Sequence, residues 1–317
     1  MMYLSTENSD DMATVQRVKT LTEFHRTRGL SSPEHPLISV VDYANVELLP
    51  EFQGNSWVFD FYFISLKKNF GAKIRYGQQS YDFDEGVMFF IAPGQVFSID
   101  RDPEASKQRS GWMLLIHPDF LWNTPLAKQI KQYEYFGYSI HEALFVSERE
   151  EAIMMGLIEN IRQEYMANID KFSQQIILSQ IETLLNYSER FYYRQFLTRK
   201  KANHGILDGL EELLAKYFSG DDLAVKGLPT VAYLGEALNV SPKYLSSLLR
   251  ILTGQSAQHY IHENLIEKAK QKLSLSDLSV SEIAYELGFE HPQSFSKFFK
   301  RKTSVTPLEF RKSFGGN

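Results

Sequence analysis

SVSEIAYELGFEHPQSFSKFFKR, residues 279–301, decides the fold of the C-terminal part of this chain. Ser279 followed by Glu282 is a capping-box signature, in which each side chain satisfies the other's backbone amide at a helix start. Ile283, Ala284 and Leu287 fall on one helical face, and Gly288 stands where a helix ends on a left-handed residue. His291-Pro292 then opens a second helix, because proline fits the first helical position, where its missing N–H is not needed. That helix turns Phe295, Phe298 and Phe299 inward and leaves Gln293, Ser294, Ser296, Lys297, Lys300 and Arg301 outward. The stretch reads as helix, tight turn, helix, with an apolar inner side and a polar outer one.

Working outward, Thr306-Pro307-Leu308-Glu309 caps a last short helix, and the same helix-turn-helix pattern recurs upstream at a spacing of about 50 residues. In that first copy Val231, Leu234 and Leu238 mark one apolar face, Asn239-Val240 makes the turn, and Ser241-Pro242 supplies the N-cap and the proline behind it. Leu245, Leu248, Leu249 and Leu252 then repeat at i, i+3, i+4, i+7, which predicts that Lys243, Ser246, Ser247 and Arg250 point away from the core. Between the copies Ala257 to Leu273 reads as one helix of roughly 26 Å. Successive major-groove faces on one side of a duplex lie about 34 Å apart, so a rod of that size suits two helices in neighbouring grooves.

The rest of the composition bounds the answer. A chain of 317 residues predicts two domains. It has no cysteine, which excludes disulfides, thiolate metal sites and thiol nucleophiles. The polar, acidic start MMYLSTENSDDM is unlike a signal peptide, and no apolar run approaches a membrane span, so a cytoplasmic, soluble protein without membrane contact is expected. The net charge of −5 is unevenly spread: residues 1–198 carry −8 and residues 199–317 carry +3. Within 241–317 there are 11 basic and 7 acidic residues, a mild basic bias that permits nucleic-acid binding without proving it.

From about Leu37 to Pro118, runs such as Trp57 to Ile64 and Gly86 to Ile91 alternate with turn residues at Asp84-Glu85-Gly86 and Pro93-Gly94, which predicts antiparallel strands closing a small barrel. Met154, Ile158, Ile161 and Tyr165 form one helical stripe, and Ile177, Ile181, Leu184, Ser188 and Phe191 another. Two readings of the second stripe stand side by side: packing on its own barrel, or self-association around a dimer axis through Ile177, Ile181, Leu184 and Ser188. TRKKANHG, residues 198–205, is basic and polar and ends in glycine, as an exposed linker would.

On these motifs the segment from Leu228 to Phe314 resembles the AraC/XylS-type transcription regulators. The match rests on Ile283-Ala284, Gly288-Phe289, Phe295, Phe299-Lys300, Pro307 and Arg311, with Ala232, Leu245 and Gly254 in the first unit. The resemblance implies two recognition helices on double-stranded DNA. It carries base contacts over onto Lys243 and Ser247 in the first and Gln293 and Lys297 in the second, with Ser246 and Ser294 beside them. Gln293 suits adenine and Lys297 suits guanine, while Arg250, Lys300 and Arg301 suit phosphates. Three residues depart from the family pattern. Ser247 stands where many relatives have arginine or another long donor, Leu265 where arginine is frequent, and Ser304 where glycine is usual. The first unit is therefore expected to add affinity more than base readout.

The N-terminal half resembles, more loosely, the cupin-like sensor domain of that family, through Asp84-Glu85-Gly86, Pro93-Gly94 and Trp112 to Pro118. This implies a small effector held in the barrel, dimerisation through helices such as Phe172 to Phe196, an activating role, and RNA polymerase as a further partner. The expected architecture is an α+β multidomain chain. It comprises a flexible N-terminus (1–20), an antiparallel cupin-like β-barrel (21–146), a helical dimerisation segment (147–198), a linker (199–205) and an all-α domain with two helix-turn-helix units (206–317).

The competing reading is a small-molecule-binding or enzymatic barrel with a structural helical appendage. Metal-dependent cupin chemistry needs clustered ligands, often as His-x-His. The histidines before the linker, His25, His35, His117 and His141, are scattered, and there is no nucleophile elbow or phosphate-binding glycine loop. No catalytic residue, metal ligand or cofactor is expected. Trp57, Trp112, Tyr62 and Tyr76 suit an apolar pocket or an ordinary core alike.

Overall fold

The computed structural model describes residues 15–47, 56–68, 75–76, 79–80, 86–97, 110–139, 142–167, 170–220 and 222–314. The chain divides into two compact units, 1–192 and 193–317; the first is mixed α+β and the second all helical.

In the first unit Leu144–Val146 (β10), Gly86–Ile91 (β7), Tyr62–Lys68 (β4), Ser110–Ile116 (β9) and Ile38–Asp42 (β2) lie in that order in one antiparallel sheet. A second sheet joins Val15–Val18 (β1), Ser56–Phe59 (β3) and Val96–Phe97 (β8), with β1 parallel to β3. Side chains alternate along a strand, so Phe63, Ile91, Met113 and Leu115 share one face of the larger sheet. They form a single buried cluster with Trp57, Phe59 and Phe97 of the smaller sheet and Phe24 of the helix Leu21–Thr27 (α1). Phe59 is the hub, stacked 4.9 Å from Phe61 and edge-on to Phe97 at 4.9 Å and to Phe24 at 5.5 Å.

Beyond the short helix Leu126–Gln129 (α2), the opposite face takes the helices Glu148–Met166 (α3) and Ser173–Thr198 (α4). Val40 N–H donates to the Tyr165 hydroxyl at 3.0 Å, and the Tyr135 hydroxyl donates to the Leu185 carbonyl at 2.9 Å. Burial raises the pKa of Tyr165 and raises that of Tyr135 well above the ordinary phenol value, so both stay neutral donors or acceptors.

Three expectations for this unit change. The strands do not close a barrel: among the described residues they form the two sheets above and a short pair, Arg75–Tyr76 (β5) with Gln79–Ser80 (β6). Alternation reports which side of a strand is buried, not whether the sheet edges meet. Of the N-terminus expected to be loose, residues 1–14 lie outside the described residues, while Val15–Val18 form β1 and α1 follows just beyond. Of the two readings of the second stripe, pairing of protomers through Ile177, Ile181, Leu184 and Ser188 gives way to packing within the chain, where each residue is 3% exposed or less. Helical spacing identifies an apolar face without naming what covers it. Asp84, Glu85 and His141 lie outside the described residues.

The second unit is a run of helices: Lys200–Ser219 (α5), Asp222–Lys226 (α6), Val231–Ala237 (α7), Pro242–Thr253 (α8), Ala257–Leu275 (α9), Val280–Glu286 (α10), Pro292–Thr303 (α11) and Pro307–Phe314 (α12). The segment expected as an open linker, 199–205, is the start of α5 instead. An internal glycine such as Gly205 costs a helix only about 1 kcal/mol. The stripe behind it, including the fully buried Leu210 and Leu214, anchors α5 in the domain core. That core is continuous from α5 through α11 and joins Leu234, Leu245, Leu265, Ile283, Phe295 and Phe299. Among the described residues no helix is long and apolar enough to cross a membrane, and no three His, Asp or Glu side chains cluster as metal ligands.

Two helix ends set the local geometry. Ser304 closes α11 in the left-handed region at φ +67°, the conformation Gly254 adopts after α8 at φ +74°. Gly288 closes the turn after α10 at φ +76°, where a Cβ would lie 2.4 Å from the Leu223 carbonyl oxygen. Ser304→Gly is expected to stabilise the domain by about 0.5–1 kcal/mol, the left-handed cost relieved less the added unfolded-state entropy. Gly288→Ala is expected to destabilise it by more than about 2 kcal/mol through strain and backbone clash. Urea denaturation of the two variants checks both signs.

Candidate nucleic-acid interface

The second helix-turn-helix unit is built from its caps. Ser279 Oγ accepts from Glu282 N–H at 3.2 Å while a Glu282 carboxylate oxygen accepts from Ser279 N–H at 2.7 Å, which fixes the start of α10. Phe289 N–H returns to the Ala284 carbonyl at 3.0 Å, and α11 starts at Pro292. Phe295 and Phe299 are fully buried and Phe298 nearly so. The opposite side of α11 carries Gln293, Ser294, Lys297, Lys300 and Arg301, all exposed, as the spacing predicts.

The first unit repeats this at an offset of 50 residues, from Pro242 against Pro292 to Thr253 against Thr303. A Cβ on Gly235 would lie 2.7 Å from the Val240 carbonyl oxygen, so only glycine lets the turn fold back this closely onto α7. Asn239 takes the positive φ of the turn, +55°. Ser241 Oγ then caps α8, accepting from Tyr244 N–H at 3.2 Å.

The outward side of α8 differs from that of α11. Lys243 and Arg250 are exposed, and Ser246 is half-buried with its hydroxyl donated to the Pro242 carbonyl at 2.8 Å. Ser247, expected to face a groove, is only 6% exposed. At 3.6 residues per turn it sits about 200° around the helix from Leu245, so the leucine core does not account for its burial. The neighbouring Tyr244 is buried too, its ring 4.9 Å from that of Phe196. Phe196 precedes the repeated segment, so the spacing within α8 carries no trace of it. Tyr244 and Phe196 are the residues that sequence reasoning missed. Laying α8 on α11 is the signal that finds Tyr244, which falls on exposed Ser294, whereas Phe196 leaves no such signal.

The cations near α11 are sorted by their surroundings. Lys302 lies 3.3 Å from the Glu263 carboxylate and 3.2 Å from His259 Nδ1 of α9, so it braces two helices. The Arg301 guanidinium lies 5.9 Å from the Phe298 ring centre. His262 meets Phe298 edge-on at 5.2 Å; burial first, then Lys302 and Arg301, hold its pKa below the usual imidazole value, so it is a neutral packing ring. Lys297, Lys300 and Arg301 are left facing solvent from one helix.

α9 joins the two units. Its 19 residues span about 28 Å, and Leu265, at a position where arginine is frequent in the resembling family, is fully buried in the shared core. Arg311 of α12 donates to the Leu273 carbonyl at 3.2 Å, tying the last helix to the end of α9.

Residues 234–313 match a family model described as a helix-turn-helix domain. This stretch is an AraC-type helix-turn-helix domain. Over 83 residues the chain is 40% identical to the uncharacterized transcriptional regulatory protein YesN of Bacillus subtilis, covering 26% of this chain and 23% of that protein. Over 86 residues it is 38% identical to the raffinose operon transcriptional regulatory protein RafR of Pediococcus pentosaceus, covering 27% and 31%. The C-terminal domain of AraT, a response regulator from Geobacillus stearothermophilus, is 31% identical, covering 34% of this chain and 84% of that one with a TM-score of 0.30. The chain spans less than a third of the length of these two curated relatives.

The caps make the domain acid-sensitive in a defined direction. Bonds from the backbone amides of Ser279 and Thr306 hold the carboxyls of Glu282 and Glu309 below the usual glutamate pKa. A pKa lowered on folding adds stability that is complete above the unfolded value and is lost as pH falls through the folded one. Urea midpoints should therefore fall in two stages as pH drops, a first below about pH 6.5 as His262 is called on to take a proton in the unfolded chain and a second below about pH 4.5 from the two glutamates. The double variant Glu282→Gln, Glu309→Gln should show a shallower second stage.

Proposed function

We propose that this protein is a sequence-specific DNA-binding transcription regulator whose N-terminal unit receives a small effector. The observation that supports it best is the capped α10–turn–α11 hairpin, which presents Gln293, Ser294 and Lys297 on an open face ahead of Lys300 and Arg301. Recognition helices read bases with their N-terminal residues. Gln293, Ser294 and Lys297 are accordingly assigned to base edges, and Lys300 and Arg301 to phosphates. In the first unit Lys243, Ser246 and Ser247 are assigned to bases and Arg250 to phosphate, all of them in the state in which the burial of Ser247 is relieved.

The finer parts of this proposal rest on resemblance and on the first unit's architecture. Two facing sheets support a cupin-like sensor. Their intervening space is filled by the aromatic cluster around Phe59, so the effector is assigned to the cavity of about 350 Å³ beside the start of α4, lined by His35, Asp119, Phe120, Tyr165, Ser173 and Gln174. Activation of a promoter through RNA polymerase, in the cytoplasm, follows the family resemblance. Self-association is assigned to the outward side of α4, where Ile176 is 43% exposed and Phe172, just before the helix, is 56% exposed.

Selection from random duplexes followed by a salt titration tests the DNA reading. The wild type should select a sequence. Gln293→Ala, Lys297→Ala should lose about 2–4 kcal/mol of discrimination while keeping weak, salt-dependent association. Failure of the folded wild type to select any sequence, with or without candidate effectors, would overturn the assignment. Sedimentation tests the dimer separately: Phe172→Ser, Ile176→Ser should convert a dimer to a monomer without loss of helicity.

A further inference from the structure

This inference rests on the DNA-reading assignment above and concerns its regulation. Because α8 and α11 are copies offset by 50 residues, their faces compare position by position: Tyr244 with Ser294, Ser247 with Lys297, Ile251 with Arg301. In α11 these three are polar and exposed. In α8 Tyr244 is 1% exposed, Ser247 is 6% exposed and Ile251 is half-buried. The stripe at i, i+3, i+7 that is open in one copy has the composition of a packed surface in the other, and it is packed.

Its visible partner is Phe196, itself 2% exposed, whose ring lies 4.9 Å from that of Tyr244 at an angle of 50°. Phe196 is held from behind. The Asn203 amide donates to the Phe196 carbonyl at 2.6 Å, and both Asn203 and Gln195 are 1% exposed. A recognition helix enters a major groove only about 12 Å wide, so the same side of α8 cannot hold Phe196 and face bases at once.

We propose that the segment from Tyr193 to Asn203 is a latch on the first recognition helix. With Phe196 on Tyr244, α11 alone is free to read DNA; α8 joins it once Phe196 leaves. The regulated quantity is the number of helix-turn-helix units engaged, one when closed and two when open.

The cysteine-free chain makes the test clean. Full-length Ser247→Cys and Lys297→Cys proteins each carry a single thiol, and alkylation rates report the two faces without any DNA. The Ser247→Cys thiol should react at least tenfold more slowly than the Lys297→Cys thiol. Adding Phe196→Ala should speed the former at least fivefold and leave the latter unchanged. On the selected duplex the Phe196→Ala protein should protect two adjacent groove segments where the wild type protects one. If that variant does not fold, a Phe196→Cys, Tyr244→Cys protein bridged by a short bis-maleimide replaces it; bridging should keep protection at one segment. Unchanged Ser247→Cys reactivity in folded Phe196→Ala protein, or two protected segments in the bridged protein, overturns the latch. Failure of every protein to select DNA overturns the DNA reading, whereas the alkylation rates still decide whether Phe196 closes this face.

Discussion

Both helix-turn-helix units hang on one hydrophobic core, and α9 runs through it. Ala257, Ile261, Leu265, Ile266, Ala269 and Leu273 are buried along its length and meet side chains from the hairpins on either side. Neither hairpin has enough apolar surface to fold alone, since a short pair of helices leaves most of its area in water. Packing against a common rod makes the two hairpins one cooperative body. Interior packing admits few voids, so the rod transmits the position of one hairpin to the other. Leu265 belongs to this constraint: a charged side chain at a position with no exposure would need a partner there.

The second hairpin was legible in the sequence almost to the residue. Its information is local: capping box, left-handed cap, proline at the first helical position and a phenylalanine face at helical spacing all lie within about two dozen residues. The start of α5 was not legible, because a polar, lysine-rich stretch lacks its own apolar period and is helical through the stripe that follows it. Barrel closure was misread and the partner of the α4 stripe left undecided for a related reason. Strand and helix periodicities identify a buried side, and that side is satisfied equally by a neighbouring sheet, a second protomer or the chain's own helices.

The buried Ser247 shows the same limit at the site. Within α8 its position is polar and faces away from the leucines, and the spacing fixes that much. The burial comes with an aromatic contact from residue 196, and nothing within the repeat encodes it. What the sequence did carry was the contrast between the copies, where tyrosine and isoleucine replace serine and arginine at matched positions. Internal repeats are useful in this way because one copy serves as a control for the other under the same backbone geometry.

The two copies share the spacing of their inward stripe and the left-handed residue that closes each second helix, while their outward sides differ at Tyr244, Ser247 and Ile251 against Ser294, Lys297 and Arg301. The inward residues answer to a common core, with leucines in α8 and phenylalanines in α11. The outward residues answer to no shared neighbour, so each copy drifts without disturbing its twin. A duplicated hairpin of this kind separates two evolutionary demands that a single hairpin would have to satisfy at once. One surface can be retuned to new operators while the other is recruited as a sensor of the chain's own state.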